Sequence, residues 1–429
     1  LKQPKPSWIL MGKWLLLSLA VGACAGSASA LFLYGLSTVT DARMNHTWLL
    51  WLLPVGGALI SWLYAQYGGE AAKGNNLIID QAYGGGTHVV VPLRMAPLVL
   101  IGTWTTHLLG GSAGREGTAI QMGGSLSELI GRRLRLSARE RSALLMCGIS
   151  AGFGSVFGTP AAGALFGVEI LAAGGIARYA ALLPCIISAY FGDWVTTAWG
   201  IKHSHYAIGA VPDFSWLLLA QVALAGLLFG LAAMLFSELT HNLKKWFAYI
   251  VPHAAMRSFA GGTVIIALVY IVGTRDYIGL GLPLLEQSFT EAVSPAVFAL
   301  KTLFTSVTLG AGFQGGEVTP LFVIGSTLGS ALAGLLHISV PFLAGMGLVS
   351  VFSGAANTPI ACTIMGIELF GFDAAGYLLL GCVIAYAASW HSGIYTSQRF
   401  SPIKQRLLRL TAGHTNAMHH AKLHNRTKG

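Results

Sequence analysis

Long apolar runs alternate with short polar breaks along the whole chain. Segments free of Asp, Glu, Lys and Arg cover residues 14–40, 44–69, 142–168, 214–237, 318–367 and 374–398. Several reach the roughly 20 residues that let a helix cross a bilayer. The pattern predicts helices over 8–40, 46–67, 93–110, 138–155, 160–176 and 178–198. In the second half it predicts 214–240, 256–274, 318–336, 339–354, 359–372 and 374–390. Another helix starts at Thr118 and ends in an Arg-rich loop, and shorter pieces lie near 75–79, 282–285 and 293–309. The fold class is therefore an all-α integral membrane protein.

Composition sharpens this picture. Of 429 residues, 54% are hydrophobic and only 10% charged, which would leave a soluble domain with far too much apolar surface. The net charge of +10 is clustered. Lys2, Lys5 and Lys13 precede or open the first run. Arg132, Arg133, Arg135, Arg139 and Arg141 share one loop, and Lys244 and Lys245 follow the 214–237 run. Lys404, Arg406, Arg409, Lys422, Arg426 and Lys428 follow the last run. By the positive-inside rule these segments, both termini included, face the cytoplasm. Basic residues that flank spans do not call for a nucleic-acid partner. The first run is too long for a cleavable signal peptide. Cys24, Cys147, Cys185, Cys362 and Cys382 sit in apolar segments without metal or redox spacing, which reads as small buried residues. Asn45-His-Thr47 matches a glycosylation sequon by a short pattern. His414, His419, His420 and His424 lie in a basic tail; their spacing fits no defined metal site, and no metal or cofactor is expected.

The centre of the chain's chemistry is Gly110-Gly-Ser-Ala-Gly-Arg-Glu-Gly-Thr118. Arg115 and Glu116 appear there after residues 95–114, which carry no charge. Charges at membrane depth mark function by default. A second stretch, Gly315-Gly-Glu-Val-Thr-Pro320, lies 201 residues on when Glu116 is aligned with Glu317. Gly158-Thr-Pro-Ala-Ala-Gly-Ala-Leu-Phe-Gly-Val-Glu169 likewise parallels Asn357-Thr-Pro-Ile-Ala-Cys-Thr-Ile-Met-Gly-Ile-Glu368, offset by 199. The chain thus reads as two homologous halves, 1–205 and 206–412, followed by a tail, 413–429. Repeats of short, Gly- and Pro-interrupted segments point to a transporter whose site lies between the halves near mid-membrane.

Helix N-termini at that depth present unpaired N–H groups and the positive end of a dipole, so the ligand should be an anion. Donors come from Glu116, Gly117 and Thr118 in one half and from Val318 and Thr319 in the other. An ionised Glu116 competes for the same amides; once protonated it can leave, which makes a proton-for-anion exchange. The simpler alternative is a carboxylate that caps a helix start. The same two readings apply to Glu317. Asn75 and Asn76 bring amide side chains to a break in the apolar pattern, and Tyr395 offers a hydroxyl or anchors a helix end. Glu169 and Glu368 lie late in their helices, where the dipole disfavours them, and binding loop amides or basic neighbours is the structural reading.

Gly-Arg-Glu-Gly at 114–117, Gly-Glu-Val-Thr-Pro at 316–320 and Gly-Ile-Tyr at 393–395 together resemble the CLC family of chloride channels and proton-coupled anion antiporters. The resemblance covers most of the chain. It implies a homodimer with one pore per subunit and about eighteen helices of uneven length in two inverted halves. It also implies that Glu116 is the gating glutamate and Tyr395 the central hydroxyl. Three departures are similar to the fluoride/proton antiporter branch. Gly74-Asn-Asn-Leu-Ile78 puts Asn75 where chloride members have an anion-coordinating Ser, Thr118 replaces a Pro, and Glu317-Val-Thr319 replaces a Phe-centred sequence. Glu169 matches the first of the family's two adjacent Glu, but Ile170 occupies the inner proton-relay position. The expected function is export of fluoride across a bacterial inner membrane in exchange for protons, with fluoride, protons and lipid as partners. Chloride/proton exchange or a passive chloride channel on the same fold is the nearest alternative. A remote one is an intramembrane serine hydrolase, from Gly110-Gly-Ser-Ala-Gly114 with His107 nearby; the strand–turn–helix setting of a nucleophile elbow is missing.

Overall fold

Sixteen α-helices make up most of the described residues, which are 7–84, 90–171, 176–204, 206–400 and 404–405 of a computed structural model. Eight precede residue 206: α1 (Ser7–Asn45), α2 (Leu53–Leu63), α3 (Asn75–Ala82), α4 (Met95–Leu109), α5 (Glu116–Arg133), α6 (Ala138–Phe157), α7 (Pro160–Glu169) and α8 (Leu182–Ala198). Eight follow it: α9 (Trp216–Ile250), α10 (Ala254–Val272), α11 (Leu282–Thr290), α12 (Ala296–Gly310), α13 (Val318–Leu336), α14 (Val340–Ala356), α15 (Pro359–Phe370) and α16 (Ala375–Ala388). Six helical stretches are long and apolar enough to cross a membrane, and the protein is a multi-pass membrane protein. The count is close to the eighteen expected. The His-containing tail lies outside the described residues.

The order of long and short helices repeats. A very long first helix (α1, α9) is followed by a short third (α3, α11) and by two 15-residue helices (α4, α12). Local chemistry repeats too. Gly158, left-handed at φ 72°, ends α6, and Pro160 opens α7. In the other half Asn357, left-handed at φ 56°, ends α14 before Pro359 opens α15. Both pairs combine a residue that tolerates positive φ with a proline whose missing N–H costs nothing at a helix start. Close backbone packing repeats as well. A methyl on Gly123 would collide with the Gly148 carbonyl between α5 and α6, and one on Gly325 with the Gly347 carbonyl between α13 and α14. Small residues at such contacts substitute for the hydrophobic drive that lipid does not supply.

The halves meet through equivalent elements. α2 packs on α10, and α7 on α15. Glu169, at the end of α7, accepts N–H bonds from Ile360 (3.0 Å) and Ala361 (2.6 Å) at the start of α15. Glu368, near the end of α15, accepts bonds from Ala161 and Ala162 (both 2.8 Å) at the start of α7. Each acidic residue, misplaced on its own helix, caps its partner's N-terminus. This reciprocity is what an inverted pair of repeats produces.

Several expected boundaries change; among them, the 214–240 helix runs on to Ile250 as α9. The 46–67 helix is a 3₁₀ turn over Thr47–Leu52, then α2, then a π turn over Tyr64–Gly68; Pro54 cannot donate, so the α-helix starts around it. The 160–176 helix stops at Glu169. The first helix runs past residue 40 to Asn45, because Asp41 and Arg43 do not break a helix. Cys24 is exposed on α1, whereas the other four cysteines are buried as expected.

Candidate functional site

Two short extended strands of glycine backbone bring the halves together at the centre. Gly114 N–H donates to Gly316 O (2.6 Å) and Gly316 N–H to Gly114 O (2.8 Å), an isolated antiparallel bridge. Two residues beyond each glycine, a helix begins: α5 at Glu116 and α13 at Val318. Only glycine permits this approach. A Cβ on Gly114 would lie 2.8 Å from Pro320 Cδ and 2.9 Å from Gly316 O. The bridge corrects the alignment read from sequence. Equivalent residues are 202 apart, so Glu317 corresponds to Arg115, and Val318 to Glu116. The two glutamates are neighbours in space but not symmetry mates.

Glu116 is fully buried. Its carboxylate accepts from the N–H of Thr319 (2.9 Å) and from the Thr319 hydroxyl (2.5 Å), both on the opposite half, and from the N–H of Arg115 (3.2 Å). Arg115 Nε stands 3.5 Å from Glu116 Oε1, outside hydrogen-bond geometry, and its guanidinium lies over the Phe157 ring at 5.8 Å. The Glu116 side chain thus occupies the donors of Thr319 at the start of α13.

Asn75 and Glu317 converge beside Gly117. A Cβ there would fall 3.0 Å from Asn75 Nδ2 and 3.7 Å from Glu317 Oε2. Asn75 Oδ1, Glu317 Oε2 and the Tyr395 hydroxyl are buried without a protein partner. Val318 is buried at the first position of α13. Thr118 is the exception: its hydroxyl pairs with Thr103 on α4 (2.7 Å), so it offers the site at most its backbone. Asn76 serves elsewhere, accepting from Ser397 N–H (3.0 Å), which ties the 395–398 segment to α3.

Sequence reasoning missed two groups. Gln121, a turn beyond Gly117, has a buried Oε1 without partner, and its side chain lies next to Gly74. An aromatic wall flanks Arg115: Phe157 packs on Phe322 (4.8 Å between centroids), and Phe322 meets Phe352 edge-on (5.5 Å). Aromatic residues spread over α6, α13 and α14 carry no local pattern that signals such a cluster. Ser112, the nucleophile of the hydrolase alternative, bonds to Thr305 and Lys301, while His107 faces the Gly114 carbonyl at 3.4 Å. The loop joins two helices, not a strand and a helix.

A family model described as voltage gated chloride channel matches residues 56–390. The chain belongs to the voltage-gated chloride channel family. Within that family it is 49% identical over 396 residues to the chloride/fluoride channel protein of Pseudomonas syringae pv. tomato, a match over 91% of this chain and 87% of that one. It is 24% identical to the H(+)/Cl(-) exchange transporter ClcA of Cronobacter sakazakii, over 83% of this chain and 81% of that one. Among solved structures, a CLC-type fluoride/proton antiporter superimposes with a TM-score of 0.89 at 32% identity, over 92% of this chain and all of that one. A slow cyanobacterial Cl-/H+ antiporter, at 21% identity and a TM-score of 0.78, shares the fold.

Proposed function

We propose that the protein exports fluoride across the inner membrane in exchange for protons, as a homodimer with both termini cytoplasmic. The observation that carries this is the Glu116 carboxylate on the Thr319 N–H and hydroxyl. It sits where a small anion would receive the same donors. Ionised, the carboxylate holds them through charge-assisted bonds. Protonated, it loses much of that advantage, and fluoride replaces it. Anion and proton then alternate at one place, which couples their flows. Fluoride is favoured over chloride because a CLC-type fluoride/proton antiporter superimposes at 32% identity and a relative at 49% identity carries fluoride beside chloride in its name, and because Asn75 and Glu317 bring polar atoms close beside Gly117. Glu317 takes up the proton's further path, since Ile170 occupies the usual relay position. The two halves, 1–205 and 206–412, each supply one wall. The test is efflux from proteoliposomes followed with fluoride and chloride electrodes. Fluoride should leave far faster than chloride; equal rates would refute the selectivity.

A further inference from the structure

Lys301, in the middle of α12, is completely buried at membrane depth. Its Nζ donates to Ser112 Oγ (3.0 Å), Tyr277 O (3.1 Å) and Gly279 O (3.0 Å). All three ammonium protons are thus spent on neutral oxygens. A buried charge is costly, and hydrogen bonds to dipoles offset only part of that cost. The surroundings are built for it. Lys301, Thr305 and Thr308 recur at helical spacing on one face of α12. Thr305 Oγ1 lies 2.9 Å from Ser112 Oγ, and Ser112 N–H donates to Thr308 Oγ1 (3.1 Å). Gly279 N–H donates to Gly111 O (3.1 Å). Gly279 and Gly281, at φ +64° and +80°, leave room for cations: a Cβ on Gly281 would lie 3.0 Å from Lys301 Nζ, and one on Gly279 2.6 Å from an Arg43 nitrogen. The held dipeptide, Gly111-Ser112, stands two residues before the Gly114 bridge and four before Glu116.

We infer that Lys301 is a positioning residue for the anion site: it fixes the loop that carries α5's N-terminus and places a basic side chain behind it. This rests on the fluoride-transport reading. Arg43 backs the same turn, so two basic side chains set up a positive field behind the loop. Such a field lowers the energy of an anion in the site without touching it.

The test is fluoride efflux against fluoride concentration for the native protein and for Lys301→Met, Lys301→Arg and Ser112→Ala. Lys301→Met should raise the half-saturating concentration about tenfold, the equivalent of one charge-assisted hydrogen bond, and Lys301→Arg should recover most of it. Ser112→Ala keeps the ammonium on two carbonyls and guards against misfolding of the lysine variants; it should raise half-saturation by a smaller factor. A purely structural lysine would lower the maximal rate per milligram and leave half-saturation unchanged, and that result in Lys301→Met and Ser112→Ala would overturn the inference. No fluoride flux through the native protein would instead defeat the transport reading itself.

Discussion

Glu116 and Thr319 come from opposite halves of the chain, yet Thr319 gives the Glu116 carboxylate both its N–H, at 2.9 Å, and its hydroxyl, at 2.5 Å. A buried carboxylate thus fills the donor set of a helix start that is not its own. On the proposed exchange, losing that charge would free those donors for an anion.

Glu116→Gln should abolish proton-coupled fluoride exchange. The amide keeps the shape but carries no charge and takes up no proton. Reconstituted variant protein should show no proton counterflow when a fluoride gradient is imposed. Exchange at the native rate would remove Glu116 from the mechanism.

Gly117→Ala should slow transport while leaving the fold intact. The added methyl would stand 3.0 Å from Asn75 Nδ2 and 3.1 Å from Gly316 Cα, so both must yield. Displacements of this size at a reacting centre cost up to about a hundredfold in rate. Fluoride flux and elution from a sizing column should be measured together. Native flux would show that the space beside Gly117 is not used.

Glu169→Ala should destabilise the protein by about 1–3 kcal/mol, because it strips the start of α15 of a buried charged acceptor. Glu368→Ala should cost less, since Glu368 is exposed although it makes the matching bonds. Thermal unfolding in detergent reports the order; a larger loss for Glu368 would contradict the reciprocal-cap account.

The start of α6 should be sensitive to acid. Lys13, then the N–H and hydroxyl of Ser137, hold the Glu140 carboxylate down to about 2 from 4.5. A depressed carboxylate contributes stability above its ordinary value and loses it as pH falls from 4.5 toward about 2. Lys13→Met should therefore lower stability at neutral pH by about 1 kcal/mol or less, as the pair is part-exposed. The difference should vanish near pH 2. A deficit that persists there would assign the effect to lost packing.

Membrane class, most helices and the repeat were legible because lipid imposes long apolar runs, and duplicated Thr-Pro and glycine motifs mark the breaks. Charge and glycine at membrane depth single out Glu116, Glu317 and Gly117, the break in the apolar pattern Asn75, and the family resemblance Tyr395; a Cβ on Gly117 would stand 3.0 Å from Asn75 Nδ2 and 3.7 Å from Glu317 Oε2. The alignment of Glu116 with Glu317 was off by one residue, since matching letters do not reveal which backbone atoms pair; the Gly114–Gly316 bridge does. Thr118 reads as a backbone donor, and its hydroxyl, which the sequence does not place, pairs with Thr103. Lys301 escaped notice because its three acceptors are a serine and two carbonyls 189, 24 and 22 residues away.

The most direct measurement loads proteoliposomes with fluoride, sets pH equal on both sides, and records fluoride and proton movement together. Fluoride leaving down its gradient should drive protons inward, so the outer solution turns alkaline as fluoride appears, and Glu116→Gln should show no such rise. Fluoride efflux without proton uptake in the native protein would contradict the exchange at Glu116.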